Sequence, residues 1–193
     1  MIKYPNGIKI EQTKQETKPK KTIINAANRG MSFEKDINLT NEYYKNKEIA
    51  LITKRPTPIN VVKVDYSKGS LITNAYFEKQ STTDYNGIYK GRYIDFEAKS
   101  VQNATSFPLS NITNHQFKHL ESVINHGGLA FFIIQFRTLN KVYLLSAQKI
   151  LDFKNTETRK SIPLSFFKEH AYEIEEGYIP RYDYIKIIDK YFL

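Results

Sequence analysis

Two carboxylates and an ammonium within one short stretch are the residues best suited to chemistry. The stretch runs Ser81-Thr82-Thr83-Asp84-Tyr85-Asn86-Gly87-Ile88-Tyr89-Lys90-Gly91-Arg92-Tyr93-Ile94-Asp95-Phe96-Glu97-Ala98-Lys99. Its second half alternates with the period of a β-strand. Ile94, Phe96 and Ala98 go to one face, and Tyr93, Asp95, Glu97 and Lys99 go to the other. If Lys90-Gly91 is a two-residue turn, Asp84 faces Glu97 and Thr82 faces Lys99. Directly opposed Cβ atoms lie about 4.5–5.5 Å apart, so two carboxylates there repel. A hard divalent cation with oxygen ligands removes the conflict. Asp84 and Glu97 are therefore candidate metal ligands, with Lys99 a positive charge beside them. Asn86-Gly87 is a rival turn, stronger by residue type, which pairs Asp84 with Tyr89 and leaves Gly91 mid-strand. A bulge shifts the register by one. The Lys90-Gly91 turn is preferred because both strands then keep useful length. As a bare pattern, the same residues also describe two exposed strand carboxylates with Lys99 as a surface partner.

The elements that must hold these residues are legible from periodicity. Residues 1–25 read as a flexible basic tail: Glu11 to Lys21 is almost wholly polar and cannot bury enough apolar surface to order itself. A helix is expected from about Asn28, as N-cap, to Lys47, with Phe33, Ile37 and Tyr44 on its inner face. Ile49 to Thr53 reads as a strand that runs into Lys54-Arg55-Pro56-Thr57-Pro58, where two prolines block ladder pairing. Ile59 to Tyr66 and Ser70 to Phe77 are expected to pair as a ribbon, a stalk-like insertion at about residues 54–77 that projects from the core. A helix from about Asn114 to Asn125 is capped by Thr113 and ended by Gly127-Gly128. Leu129 to Phe136 is a continuous apolar run, as in a strand covered on both faces, and Val142 to Ala147 is another strand. The C-terminal third looks helical around Phe166-Phe167 and from Asp183 to Phe192, with Tyr184, Ile187, Ile188 and Tyr191 sharing a face. The expected fold class is α/β, a mixed central sheet flanked by helices, in one domain over residues 26–193.

Composition narrows the partners. The 193 residues carry a formal net charge of +9, which attracts polyanions, nucleic acid before membrane. The absence of cysteine excludes disulfides and thiolate metal sites. No apolar run approaches the roughly 20 residues that span a bilayer. The opening residues lack the apolar stretch of a secretion signal, and a cytoplasmic location is expected. His115 and His119, four apart, have no carboxylate beside them as in a zinc-protease motif and read as surface histidines. Gly87 and Gly91 make no phosphate loop, and no serine sits in a nucleophile elbow.

Asp84, then Glu97-Ala98-Lys99 after a 13-residue interval, resembles the PD-(D/E)xK nuclease signature, with Thr83 standing where that signature has proline. Longer stretches are more specific. Asn28-Arg29-Gly30-Met31, Lys54-Arg55-Pro56-Thr57-Pro58, Ser81 to Gly87, Tyr93 to Lys99, Thr105-Ser106-Phe107-Pro108-Leu109 and Gly177-Tyr178-Ile179-Pro180-Arg181-Tyr182-Asp183-Tyr184 resemble the RecU Holliday junction resolvases of Gram-positive-type bacteria. The similarity runs in order from about Asn28 to the C-terminus. It implies a restriction-endonuclease-like fold and a homodimer that resolves four-way junction DNA by paired, magnesium-dependent nicks in recombination and repair. It also implies a metal site of Thr82, Asp84, Glu97 and Gln116, with Lys99 stabilising the transition state and Glu34 an accessory acid near the metal. Gln116 enters by resemblance alone; by pattern it would be a solvent-facing glutamine at the edge of the Phe117, Leu120, Ile124 stripe. Arg29, Lys54, Arg55, Lys63 and Lys68 are candidate DNA contacts. The competing readings are another PD-(D/E)xK nuclease, or a junction- or DNA-binding module with a vestigial cleavage centre.

Overall fold

The periodic stretch that follows the tail is helical, and short strands then alternate with helices to the C-terminus. The computed structural model describes residues 26–78 and 82–193. In chain order the elements are α1 (Ala26–Asn46), β1 (Leu51–Lys54), β2 (Ile59–Asp65), β3 (Leu71–Phe77), β4 (Tyr85–Tyr89), β5 (Arg92–Val101), β6 (Ser106–Pro108) and α2 (Asn114–Asn125). Then come β7 (Leu129–Phe136), β8 (Lys141–Ser146), α3 (Ala147–Thr156), β9 (Ser161–Pro163), α4 (Leu164–His170), β10 (Tyr172–Ile174) and α5 (Tyr184–Tyr191). The expected tail, and the side chains of Arg29 and Lys68, lie outside the described residues.

Six strands form one sheet in the order β1-β4-β5-β7-β8-β10. Neighbours are antiparallel except β5 and β7, which run parallel because α2 carries the chain between them. Alternation along β7 feeds two cores. Leu129, Phe131 and Ile133 join Phe33, Ile37 and Tyr44 of α1 and Tyr184, Ile185 and Ile188 of α5. Ala130, Phe132, Ile134 and Phe136 join Phe117 and Leu120 of α2, Ile150 of α3 and Phe167 of α4. The α/β class and the helix-flanked mixed sheet are as expected.

Several boundaries differ. Asn28 is not the N-cap of α1, since helical hydrogen bonding already begins at Ala26. The first strand starts at Leu51, two residues late, because Lys47, Glu48 and Ile49 close the end of α1 through bonds to Tyr43, Lys45 and Tyr44. On α5, Tyr184 and Ile188 are buried as expected and Ile187 packs against the core, but Ile185 is also buried and Tyr191, at the helix end, is exposed. The helix α3 and the three-residue strands β6, β9 and β10 were not foreseen; strands so short carry no measurable period.

The expected ribbon forms from β2 and β3, paired with each other and apart from the six-stranded sheet. Asp65 caps its turn by accepting from the Ser67 N–H, and Gly69 closes the turn at φ 77°. Every residue of β3 is exposed, and Tyr66 and Phe77 are each 79% accessible.

Candidate active site

The site hangs on the β4–β5 hairpin. Lys90 and Gly91 form its turn with φ of 47° and 75°, both in the left-handed region that tight hairpins require. Tyr89 pairs with Arg92, and Tyr85 with Phe96. That is the register preferred from the sequence. Asn86-Gly87 does not turn: a Cβ at Gly87 would stand 2.1 Å from the carbonyl oxygen of Leu51. Gly87 is there to let β1 lie close, so the stronger turn dipeptide serves strand packing instead.

Ladder pairing stops at Tyr85, one residue short of Asp84, although the strand was expected to begin at Ser81. The next pair in the same register is nevertheless made through a side chain: the Asp84 N–H donates to Oε2 of Glu97 at 2.9 Å. Glu97 is buried, 1% accessible, beneath α2. Its Oε1 accepts from Lys99 Nζ at 2.5 Å and from Gln116 Nε2 at 2.7 Å. Burial, together with the charge of Asp84, pushes the Glu97 carboxyl up to about 7, against the opposing pull of Lys99. The structure therefore brings Asp84, Glu97, Lys99 and Gln116 together, with Thr82 half-buried on the approach to Asp84.

Gln116 is not the solvent-facing residue that its place on the helix stripe suggested. It is the third residue of α2, buried, and half of a capping box with Thr113. Its Oε1 accepts from the Thr113 N–H at 3.0 Å while its Nε2 holds Glu97. Reversing the amide would set its oxygen against the Glu97 carboxylate and its NH2 against an N–H. Glu34 reaches the site's border: its side chain pairs with Lys54 and its carbonyl accepts from Tyr85 Oη. Burial raises the Tyr85 hydroxyl well above its ordinary value, and the charges of Glu34, Asp84 and Glu97 add to the rise.

The sequence reading missed the neighbouring carboxylate. Asp95, 0% accessible, leaves the same face of β5 as Glu97. Its Oδ2 accepts from Arg55 Nη2 at 2.6 Å and from Tyr93 Oη at 2.8 Å, with His119 Nε2 at 2.9 Å; its Oδ1 accepts from Thr83 Oγ1 and from Arg55 Nη1 at 3.4 Å. Burial alone would raise Asp95; the bonds from Arg55, Thr83, His119 and Tyr93 outweigh it and hold the carboxyl below its ordinary value. His119 is thus no free surface histidine, while His115 is exposed. Arg55, taken from sequence as a DNA contact, has its guanidinium turned inward onto Asp95, Thr83 and Tyr93. The position of Asp95 in the alternation Tyr93, Asp95, Glu97, Lys99 was the one signal that could have revealed it.

Among the described residues, no cluster of three or more His, Cys, Asp or Glu has metal-holding geometry. Two carboxylates with neutral oxygen donors nearby suit a small hard cation that keeps part of its water shell. Asp84 and Glu97 are of the right donor type, but both Glu97 oxygens already accept, from the Asp84 N–H, Lys99 and Gln116. Gln116 would have to surrender its bond to Thr113 to offer its oxygen.

A mixed six-stranded sheet flanked by helices, with these groups at the mouth of the β4–β5 hairpin, defines an α/β protein. The family model described as Recombination protein U matches residues 28–190. The chain belongs to that RecU family. It is 47% identical over 193 residues to the Holliday junction resolvase RecU of Geobacillus kaustophilus, covering 97% of this chain and 96% of that one. It is 49% identical over 196 residues to the protein of the same name from Bacillus cereus strain AH820, with 97% and 96% covered. A solved structure similar to it is Archaeoglobus fulgidus Hjc, a Holliday junction resolvase. The TM-score is 0.45 at 12% identity, over 72% of this chain and 93% of that one, and the assignment rests on the sequence relatives.

Proposed function

We propose that the protein is a structure-selective endodeoxyribonuclease that resolves Holliday junctions by paired nicks during recombination and repair. The observation that carries the reading is the Asp84–Glu97–Lys99 arrangement in a chain of the RecU family. Asp84 and Glu97 would hold magnesium, with Thr82 and Gln116 completing the donor set and Glu34 accessory. When bound, the ion supplies Lewis-acid activation and neutralises charge at the phosphate. Glu97, whose carboxyl burial raises to about 7, would hold the ion in its ionised form. Lys99, paired with Glu97 Oε1, would set a positive charge beside the phosphate, whose negative charge grows in the transition state.

Paired nicks need two such sites, hence a homodimer acting on four-way junction DNA. Residues 26–193 would make one nuclease domain, with residues 1–25 as a basic arm. Among the described residues no helix is long and apolar enough to cross a membrane; a cytoplasmic site of action suits a DNA substrate. Affinity would come mainly from phosphate contacts, from Arg29, Lys63 and Lys68 and, after release from Glu34, Lys54. The exposed ribbon, with Tyr66 and Phe77 outward, would probe the open centre of a junction.

The test compares a four-way junction with linear duplex, with and without magnesium. Paired nicks in the junction that require magnesium support the reading. Binding without cutting, or degradation of linear ends, overturns it. Deleting residues 58–73 should cost junction affinity and leave duplex binding nearly unchanged; equal losses on both substrates overturn the role given to the ribbon.

A further inference from the structure

The segment that carries Thr82 and Asp84 lies outside the β-ladder, so something other than strand pairing must place it opposite Glu97. Arg55 does much of this. Its backbone N–H donates to the Asp84 carbonyl at 2.7 Å. Its Nη1 donates to the Thr83 carbonyl at 3.1 Å and to Thr83 Oγ1 at 2.6 Å. One residue thus grips two successive carbonyls of the segment. The guanidinium is in turn oriented by Asp95, which also receives the Thr83 hydroxyl. Planar, two-pronged pairing of this kind fixes direction as well as distance.

The same carboxylate reaches a second element. His119 on α2 meets Asp95, and Gln116, three residues earlier on that helix face, meets Glu97. Two rungs therefore join α2 to β5, one at each carboxylate. Thr83, where the nuclease signature has proline, supplies a hydroxyl that proline lacks, and it is fully buried on Asp95.

We propose that Asp95 is the positioning residue of the metal centre, fixing Asp84 through Arg55 and Thr83 and fixing Gln116 through His119. The inference rests on the metal-site reading above. Asp95 need not touch metal or substrate; it ties the loop before β4 and the start of α2 to the strand that bears Glu97. Without it, Asp84 and Glu97 remain in the chain but lose their fixed separation.

The full-length variants Asp95→Asn, Arg55→Lys and His119→Ala test this. Four quantities are compared with the unaltered protein: Mn2+ affinity by electron paramagnetic resonance, saturating turnover on a four-way junction, junction affinity in EDTA, and the thermal midpoint. Asp95→Asn and Arg55→Lys should each weaken Mn2+ at least about tenfold and lower turnover, with metal-free junction affinity within about twofold. His119→Ala should give a smaller change in the same direction. Unchanged Mn2+ affinity and turnover in Asp95→Asn overturn the proposal; if that variant does not fold, Arg55→Lys is judged by the same criterion. A loss of junction affinity with Mn2+ binding intact in Arg55→Lys also overturns it, because Arg55 is then a phosphate contact. Failure of the unaltered protein to bind Mn2+, or full binding by Asp84→Asn, overturns the metal site itself. Binding that Asp84→Asn abolishes and Asp95→Asn leaves intact overturns the positioning role alone.

Discussion

Asp95 and Glu97 leave the same face of β5 two residues apart, both are buried, and their surroundings act on them in opposite directions. Asp95 is enclosed by a guanidinium, two hydroxyls and an imidazole, which together outweigh the cost of burial. Glu97 has one ammonium, one amide and one backbone N–H, with Asp84 in opposition, and its carboxyl stays near neutrality. A buried carboxylate with full compensation stabilises a fold. One left short of positive charge costs the fold, and the metal proposed above would relieve that imbalance. The difference lies in the partners supplied by other elements, since strand, face and burial are shared.

The sharpest way to break this comparison is to remove the two carboxylates proposed to hold the metal. Asp84→Asn and Glu97→Gln should each lower single-turnover cleavage of a four-way junction by about 10³-fold or more, with junction binding in EDTA kept within a few-fold. Normal turnover in either variant would remove the assignment of the site.

At Asp95 the expected loss is one of stability. Arg55→Ala leaves a fully buried carboxylate without its cation, at a cost of about 3–5 kcal/mol in denaturant unfolding. A cost below about 1 kcal/mol would mean that Thr83, Tyr93 and His119 suffice, and the contrast with Glu97 would fall. Lys99→Ala should reduce saturating turnover by about 10²–10³-fold and change junction affinity little. Should affinity fall in proportion while turnover holds, Lys99 is a phosphate clamp.

The smallest effect concerns pH. The Glu97 carboxyl is raised in the folded, metal-free protein, so its contribution to stability is fully present below the ordinary carboxylate range. It is lost as pH rises through about 7. Glu97→Gln lacks this titration. From pH 5 to pH 8 in EDTA, the variant should gain on the unaltered protein by on the order of 1–3 kcal/mol. Parallel stability curves for the two proteins would refute the raised value.

The hairpin shows where local information runs out. Its turn, its register and the approach of Asp84 to Glu97 follow from alternation and from the positive φ that Lys90-Gly91 can adopt. The helices α1, α2 and α5, the strand β7 and the exposed ribbon were likewise legible, because each repeats a period long enough to read. The choice between two turns was only a preference until β1 was in place, since the reason for Gly87 is the backbone of a strand about 35 residues earlier.

The sequence by itself determined which residues carry charge near one another along β5, because alternation in a strand is a local property. The tertiary structure decided what those charges are for. Arg55 comes from the end of β1, Thr83 from the loop before β4, and Gln116 and His119 from α2; no spacing along the chain announces that they converge. Their convergence makes Gln116 a buried partner of Glu97, turns the Arg55 guanidinium inward, and separates a fully compensated carboxylate from one whose burial is not offset. A carboxylate's behaviour depends on its desolvation and on the groups around it, and both are set only when distant parts of the chain pack together.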